Sequence, residues 1–253
     1  RPAHQTVANY YRDSSYDFGR LTGAVLRRLK LYFSALRARN QFDWIVSHLD
    51  LPSTGRVLEV GSGYGRLLEL FHNRGWNVDG IEPSRDCMEY TTQRFRGKRA
   101  RIFQGTLEEY ESGGAKYDLL VLSHVFEHFV APENVLRRLE SLLRPGGFIF
   151  FELPNADNPH YRQTEYSLIP DFYFFNASNF ESFVRNHGLE PVHLGHVANR
   201  WLLERYDRFG LAVNYVWWTV LGLIGRPCFR DAGHDAITLR ALVRKPLEGE
   251  ELR

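Results

Sequence analysis

With 253 residues and 43% hydrophobic content, the chain is long enough to bury one substantial core, and a single domain over residues 1–253 is the simplest division. Thirty-two Lys and Arg against 30 Asp and Glu leave a net charge of +2, which excludes wrapping nucleic acid by bulk electrostatics. Cys87 and Cys228 form no CxxC pair, which excludes a zinc knuckle and a disulfide framework and leaves the cytoplasm as the default compartment.

In chain order, Arg1 to Tyr16 holds no apolar run of the signal-peptide kind. Leu21 to Leu49 carries apolar residues at helical spacing with Arg and Lys between them, so residues 1–50 are expected to supply one or two helices covering the sheet or a pocket. Arg56–Val60, Val78–Ile81, Arg101–Gln104, Leu119–Ser123 and Phe148–Leu153 read as buried strands, followed by Pro191–His196 and Ile237–Arg244. Helices are expected over Arg66–Arg74, Arg85–Arg96, Pro132–Leu143 and Ser178–His187, with Ser84 and Ser178 as N-caps and Gly or Pro where each ends. Strand alternating with helix implies right-handed crossovers and a parallel sheet, so the fold class is α/β. Residues 51–153 form its core, and the segments 154–177 and 199–235 interrupt the pattern as insertions on the substrate side.

The chemistry concentrates after the first strand. In Glu59-Val60-Gly61-Ser62-Gly63-Tyr64-Gly65 the glycines lie between a strand and a helix, where backbone can approach a ligand closely. A dinucleotide fingerprint needs a sixth-position glycine, but Arg66 stands there, which argues against NAD. Glu59 places a carboxylate beside the loop, suited to a cationic ammonium group and repulsive to a pyrophosphate. Glu82 ends the second strand, 21 residues after Gly61, and can accept hydrogen bonds from both hydroxyls of a ribose.

Val57-Leu58-Glu59-Val60-Gly61-Ser62-Gly63-Tyr64-Gly65, Gly80-Ile81-Glu82-Pro83-Ser84 and Leu143-Arg144-Pro145-Gly146-Gly147-Phe148 resemble the successive motifs of class I S-adenosylmethionine-dependent methyltransferases, over roughly Asp43 to Arg244. The resemblance implies a Rossmann-like three-layer sandwich around a seven-stranded, mostly parallel sheet whose last strand is antiparallel. It implies S-adenosylmethionine as cofactor and S-adenosylhomocysteine as product. By it, Glu59, Gly61, Ser62, Gly63, Tyr64 and Gly65 hold the methionine part, Glu82 with Pro83 and Ser84 the ribose, and Gly105, Thr106 and Leu107 the adenine. Gln104 and Thr106 stand where the family often has Asp. Tyr10, Tyr11 and Arg37 or Arg39 are candidates to close over the cofactor's carboxylate.

Ser123-His124-Val125-Phe126-Glu127-His128 resembles the Glu-x-x-Glu-His segment of methyltransferases acting on hydroxyls of quinone precursors, with His124 in place of the first Glu. Ser123 and His124 are then expected beside the transferable methyl group. An imidazole of ordinary pKa near 6.5 is matched to taking a hydroxyl proton, so His124 is the first choice of base. His128 is open to two roles, catalysis or capping the next helix, and Glu127 with His128 could instead share a divalent metal with a substrate oxygen. The Pro-Pro-aromatic motif for attacking base amines is missing, which leaves small molecules, sugars, glycan ends or lipid-linked intermediates as acceptors. Asn155, His160, Tyr161, Arg162 and Tyr166 are the candidate substrate contacts, a mixture of donors and aromatic faces that suits a polyol. Nitrogen and carbon acceptors stay open, as does a cofactor-binding partner subunit without turnover. The apolar stretch 211–225, flanked by Arg205, Arg208, Arg226 and Arg230, falls short of the roughly 20 residues that span a bilayer. It is open to three readings: core helix, homodimer contact, or peripheral contact with a membrane surface.

Overall fold

The computed structural model describes residues 24–159, 171–199, 208–224, 226, 229–234, 236–247 and 249–250. The apolar periodicity near the start becomes one helix, α1 (Ala24–His48). Then follow β1 (Arg56–Val60), α2 (Arg66–Asn73), β2 (Asn77–Glu82), α3 (Arg85–Arg94), β3 (Ala100–Gln104) and β4 (Tyr117–Ser123). After a short 3-10 turn (Phe126–His128) come α4 (Pro132–Leu142), β5 (Leu143–Pro154), α5 (Ala177–Asn186), β6 (Glu190–Asn199), α6 (Arg208–Leu223), β7 (Phe229–Asp231) and β8 (Thr238–Arg244).

The strands form one sheet in the order β3-β2-β1-β4-β5-β8-β6-β7. The first five run parallel, and β8 is antiparallel to both β5 and β6. The seven expected strands are all present. The eighth, β7, is a three-residue edge strand antiparallel to β6, too short to show a period of two in the sequence. The strand β5 also starts earlier than expected: Leu143 pairs with Tyr117, and residues 144–147 loop out before Phe148 pairs with Leu119. The N-cap of α5 is Asn176 rather than Ser178, because Asn176 and Asn179 each accept the other's backbone N–H in a capping box. Ser84 does sit at its N-cap position, but its side chain makes no cap hydrogen bond.

Both sheet faces are covered, which is why the central strands read as continuous apolar runs. On one face Leu58, Leu120, Ile149 and Phe151 pack with Phe126, Leu139, Phe180 and Val184. On the other, Val57, Val121 and Phe150 pack with Trp44 and Ile45 of α1 and with Leu68 and Phe71 of α2. Register then sets the site: Val60 lies opposite Ile81 on one side and Leu122 on the other. Gly61, Glu82 and Ser123 therefore emerge together at the carboxyl edge of the sheet, where an open α/β fold binds its ligand.

Candidate active site

A cavity of about 300 Å³ opens at that edge. The glycine loop forms its floor because its backbone turns left-handed at Gly61, Gly63 and Gly65. At Gly61 (φ 74°) a Cβ would sit 2.5 Å from Val125 Cγ2, so only glycine fits there. The amides of Gly61 and Ser62 both donate to the Ile81 carbonyl, at 2.8 and 3.0 Å, which staples the loop to β2.

Glu59 and Glu82 are both buried in this wall. The Glu82 carboxylate accepts from Gly63 N at 2.6 Å and Ser84 N at 2.8 Å, yet burial outweighs these bonds and pushes its pKa up to about 7. Burial, with Glu82 nearby, pushes Glu59 up to about 8, and its Oε2 is buried without a hydrogen-bond partner. Two proton-holding carboxyl groups and an orphaned oxygen fit a ligand that brings a cation and hydroxyl donors. Both folded values lie above the ordinary 4.5. The protonated forms therefore stabilise the cofactor-free fold fully below that value, and this contribution is lost as pH rises through 7 to 8. A cationic ligand reverses the preference, so roughly one to two protons are expected to leave per molecule bound near pH 6.5. Affinity should accordingly climb from pH 6 to about 7.5, where an α-amino group itself begins to lose its charge. Titration calorimetry in buffers of different ionisation enthalpy checks this; a heat independent of buffer would overturn it.

His124, just past β4, has φ 52°, a left-handed conformation uncommon outside Gly and visited by Asn, Asp and His more than by other residues. Its amide donates to the Glu152 carbonyl at 2.8 Å. Its ring lies between two carboxylates: Nδ1 is 3.5 Å from Glu127 Oε1 and Nε2 is 3.5 Å from Glu152 Oε1. Burial and the Arg37 charge push the imidazole down, but the two carboxylates outweigh them and hold it above its ordinary 6.5.

Glu152 itself is the hub of a buried network absent from the sequence reading. Arg240 Nε donates to Oε2 at 2.7 Å; Arg37 Nη2 and Gln41 Nε2 donate to Oε1 at 2.6 and 2.7 Å. Burial pushes this carboxyl up, but Arg240, Arg37 and His124 hold it well below the usual carboxylate range. Its contribution to stability is present above the ordinary value and lost as pH falls toward the folded one. Arg37 and Gln41 also reach Ser123 Oγ, at 3.1 and 2.8 Å, so α1 is tied to the end of β4. Of the two arginines named for closure, Arg37 lines the cavity and Arg39 pairs with Asp43 on the surface.

Glu59, Gly61, Ser62, Gly63, Tyr64, Glu82, Pro83, Gly105, Thr106, Leu107, Ser123, His124 and His128 all line the cavity. Gly65 does not; its Cβ position faces Thr91 Cγ2 at 2.6 Å, so it serves the packing of α3. Ser84 contributes its backbone N–H to Glu82. Asn155 is buried away from the lining, its amide nitrogen donating to the His234 and Ala236 carbonyls at 2.7 and 2.8 Å. His160, Tyr161, Arg162, Tyr166, Tyr10 and Tyr11 lie outside the described residues. His128 Nδ1 lies 3.1 Å from Asp171 Oδ1, and Glu127, His128 and Asp171 could each offer a ligand atom to one metal ion. Glu127 Oε2 is buried without a hydrogen-bond partner.

The model of a methyltransferase domain family matches residues 26–194. The chain is 28% identical over 197 residues to a ubiquinone biosynthesis O-methyltransferase of Ralstonia nicotianae, covering 70% of this chain and 80% of that one. A S-adenosylmethionine-dependent methyltransferase from Clostridium acetobutylicum has the same fold at TM-score 0.59 and 12% identity, covering 88% of this chain and 100% of that one. A Haemonchus contortus phosphoethanolamine N-methyltransferase, in complex with phosphomonomethylethanolamine and S-adenosylhomocysteine, aligns at TM-score 0.57 and 16% identity over 82% of this chain and 52% of its own. A family match over most of the chain, on a sheet edge carrying the glycine loop and both carboxylates, makes this protein a class I S-adenosylmethionine-dependent methyltransferase.

Proposed function

We propose that the chain methylates a hydroxyl of a small molecule, sugar or glycan, with His124 taking the acceptor's proton. The observation that carries this reading is the position of His124: at the end of β4, on the cavity wall, clamped between Glu127 and Glu152. The similarity to ubiquinone biosynthesis O-methyltransferases supports the oxygen acceptor.

The bound cofactor supplies an electrophilic sulfonium methyl group. This chain's residues do the rest. Gly61 and Gly63 would admit its methionine part, Glu59 Oε2 would meet the ammonium group, and Glu82, which holds Gly63 and Ser84 in place, would accept from the ribose hydroxyls. The acceptor hydroxyl takes the place of one of the two 3.5 Å carboxylate contacts of His124, the nitrogen so freed removes its proton, and the carboxylate still facing the other nitrogen stabilises the imidazolium that forms. Because those carboxylates raise its pKa, the neutral base is populated only toward the alkaline side of 6.5. Transfer rate should therefore rise with pH through that range.

The test is transfer of a labelled methyl group to a panel of phenols, catechols, polyols and matching amines. O-methylated product is expected; transfer to amines alone would replace the reading with N-methylation, and cofactor binding without transfer to any acceptor would favour a partner subunit.

One observation favours an addition. The buried, unpartnered Oε2 of Glu127 beside His128 and Asp171 is suited to a divalent cation that lowers the pKa of an acceptor hydroxyl. If a cation works there, EDTA abolishes transfer and magnesium or manganese restores it with cofactor affinity unchanged. Transfer indifferent to EDTA leaves His124 as the sole activating group.

A further inference from the structure

The helix α6 buries one side and exposes apolar residues on the opposite one. Asn214, Trp218 and Leu221 are buried, three positions at helical spacing that face the protein. Trp218 stacks on Phe33 of α1 with ring centroids 4.3 Å apart, and Trp218 and Leu221 cluster with Val197 and Phe229. Val216, Val220 and Leu223 repeat the same spacing on the outer side and are exposed; with Ile224 they form one stripe, in which Leu223 is 75% and Ile224 63% exposed. A helix apolar all round needs a second apolar neighbour.

Three occupants are conceivable for that outer stripe, and charge and area choose among them. From Arg208 to Arg230 the sequence contains three arginines and no Asp or Glu, and Arg226 and Arg230 are exposed at the carboxyl end of the helix and on β7. Asp231 follows Arg230 on β7 and is exposed too, so the helix's own carboxyl end carries Arg226 without an acid between it and the stripe, and a two-fold contact with a second copy would bring the two copies of Arg226 toward one another. Four side chains are also a small patch beside the roughly 20–30 residues a side that a stable protein interface uses. An apolar stripe followed in the chain by exposed arginines instead matches an anionic lipid surface, which takes the side chains below the headgroups and pairs the cations with them. At 16 residues the helix is about 24 Å long, shorter than the hydrocarbon core, and no helix among the described residues is long and apolar enough to cross a membrane. It would lie along the surface.

We propose that α6 docks this protein on anionic lipid through Val216, Val220, Leu223 and Ile224, with Arg226 and Arg230 at the headgroups. Phe33 lines the cavity and stacks on Trp218, so the docked helix packs directly against a residue of the cavity wall. The proposal does not depend on which atom the enzyme methylates.

The test is co-sedimentation of the full chain with phosphatidylcholine vesicles with and without phosphatidylglycerol. Binding is expected only with phosphatidylglycerol, weakening as salt rises. L223D/I224D should lower that binding by about tenfold or more, and R226Q/R230Q by about fivefold per arginine. Because all four side chains are exposed, both variants should bind S-adenosylhomocysteine like the parent, which shows that the fold and the cofactor reading stand. Failure of the parent to bind anionic vesicles would overturn the proposal, as would undiminished binding by L223D/I224D. So would a dimer, seen by sedimentation velocity, that L223D/I224D dissolves, because the stripe would then belong to a second copy.

Discussion

Replacing His124 with asparagine is expected to lower kcat by about 10² to 10⁴-fold, the usual contribution of a positioned general base, while leaving the dissociation constant for S-adenosylmethionine within a factor of about two. Asparagine is the informative choice. His124 holds a φ of 52°, a conformation that Asn tolerates and Ala does not, so His124→Asn removes the base without forcing the backbone at the end of β4 to move. The pH profile sharpens the test. In the parent, the rise in rate with pH reports an imidazole held above 6.5 by Glu127 and Glu152; in the variant that rise should vanish. Single-turnover transfer at several pH values, with cofactor saturating, measures both, and a variant with parental turnover would remove His124 as the base.

The second large effect is expected at Glu82, on the opposite half of the catalytic cycle. Glu82→Ala should weaken S-adenosylmethionine by about 100-fold or more, because it removes a charged acceptor for two ribose hydroxyls, and hydrogen bonds to charged groups are worth about 1.5–3 kcal/mol each. The same carboxylate accepts from Gly63 N and Ser84 N, so its loss also unfastens the glycine loop. At saturating cofactor kcat should recover toward the parent, the reverse of the His124 variant. Calorimetric titration checks it, and unchanged affinity would refute the ribose assignment.

What could be read along the chain was local. The glycine loop, its preceding strand and Glu82 occupy one βαβ unit, and the chemistry they need, left-handed backbone next to an acid at each strand end, is written in adjacent residues. Glu152 shows the opposite case. Its partners Arg37, Gln41 and Arg240 lie 115, 111 and 88 residues away in the chain, and an arginine within an apolar strand gives no sign of what it faces. Asn155 misled for a related reason: a loop asparagine looks like a ligand donor until the chain brings the carbonyls of His234 and Ala236 against its amide. The stretch 211–225 was apolar enough for core, dimer or membrane, and only burial separated its inner face from its outer one.

The sequence by itself determined the α/β class, the seven longer strands in their order along the chain and the glycine loop after the first of them, because hydrophobic period and glycine placement act over a few residues at a time. The tertiary structure alone decided the edge strand β7, the tie between α1 and the end of β4, the pairing of His124 with two carboxylates and the raised pKa values of Glu59 and Glu82. Those depend on the register of strands distant in the chain and on how far each charge is removed from water. Neither quantity exists until the sheet has assembled.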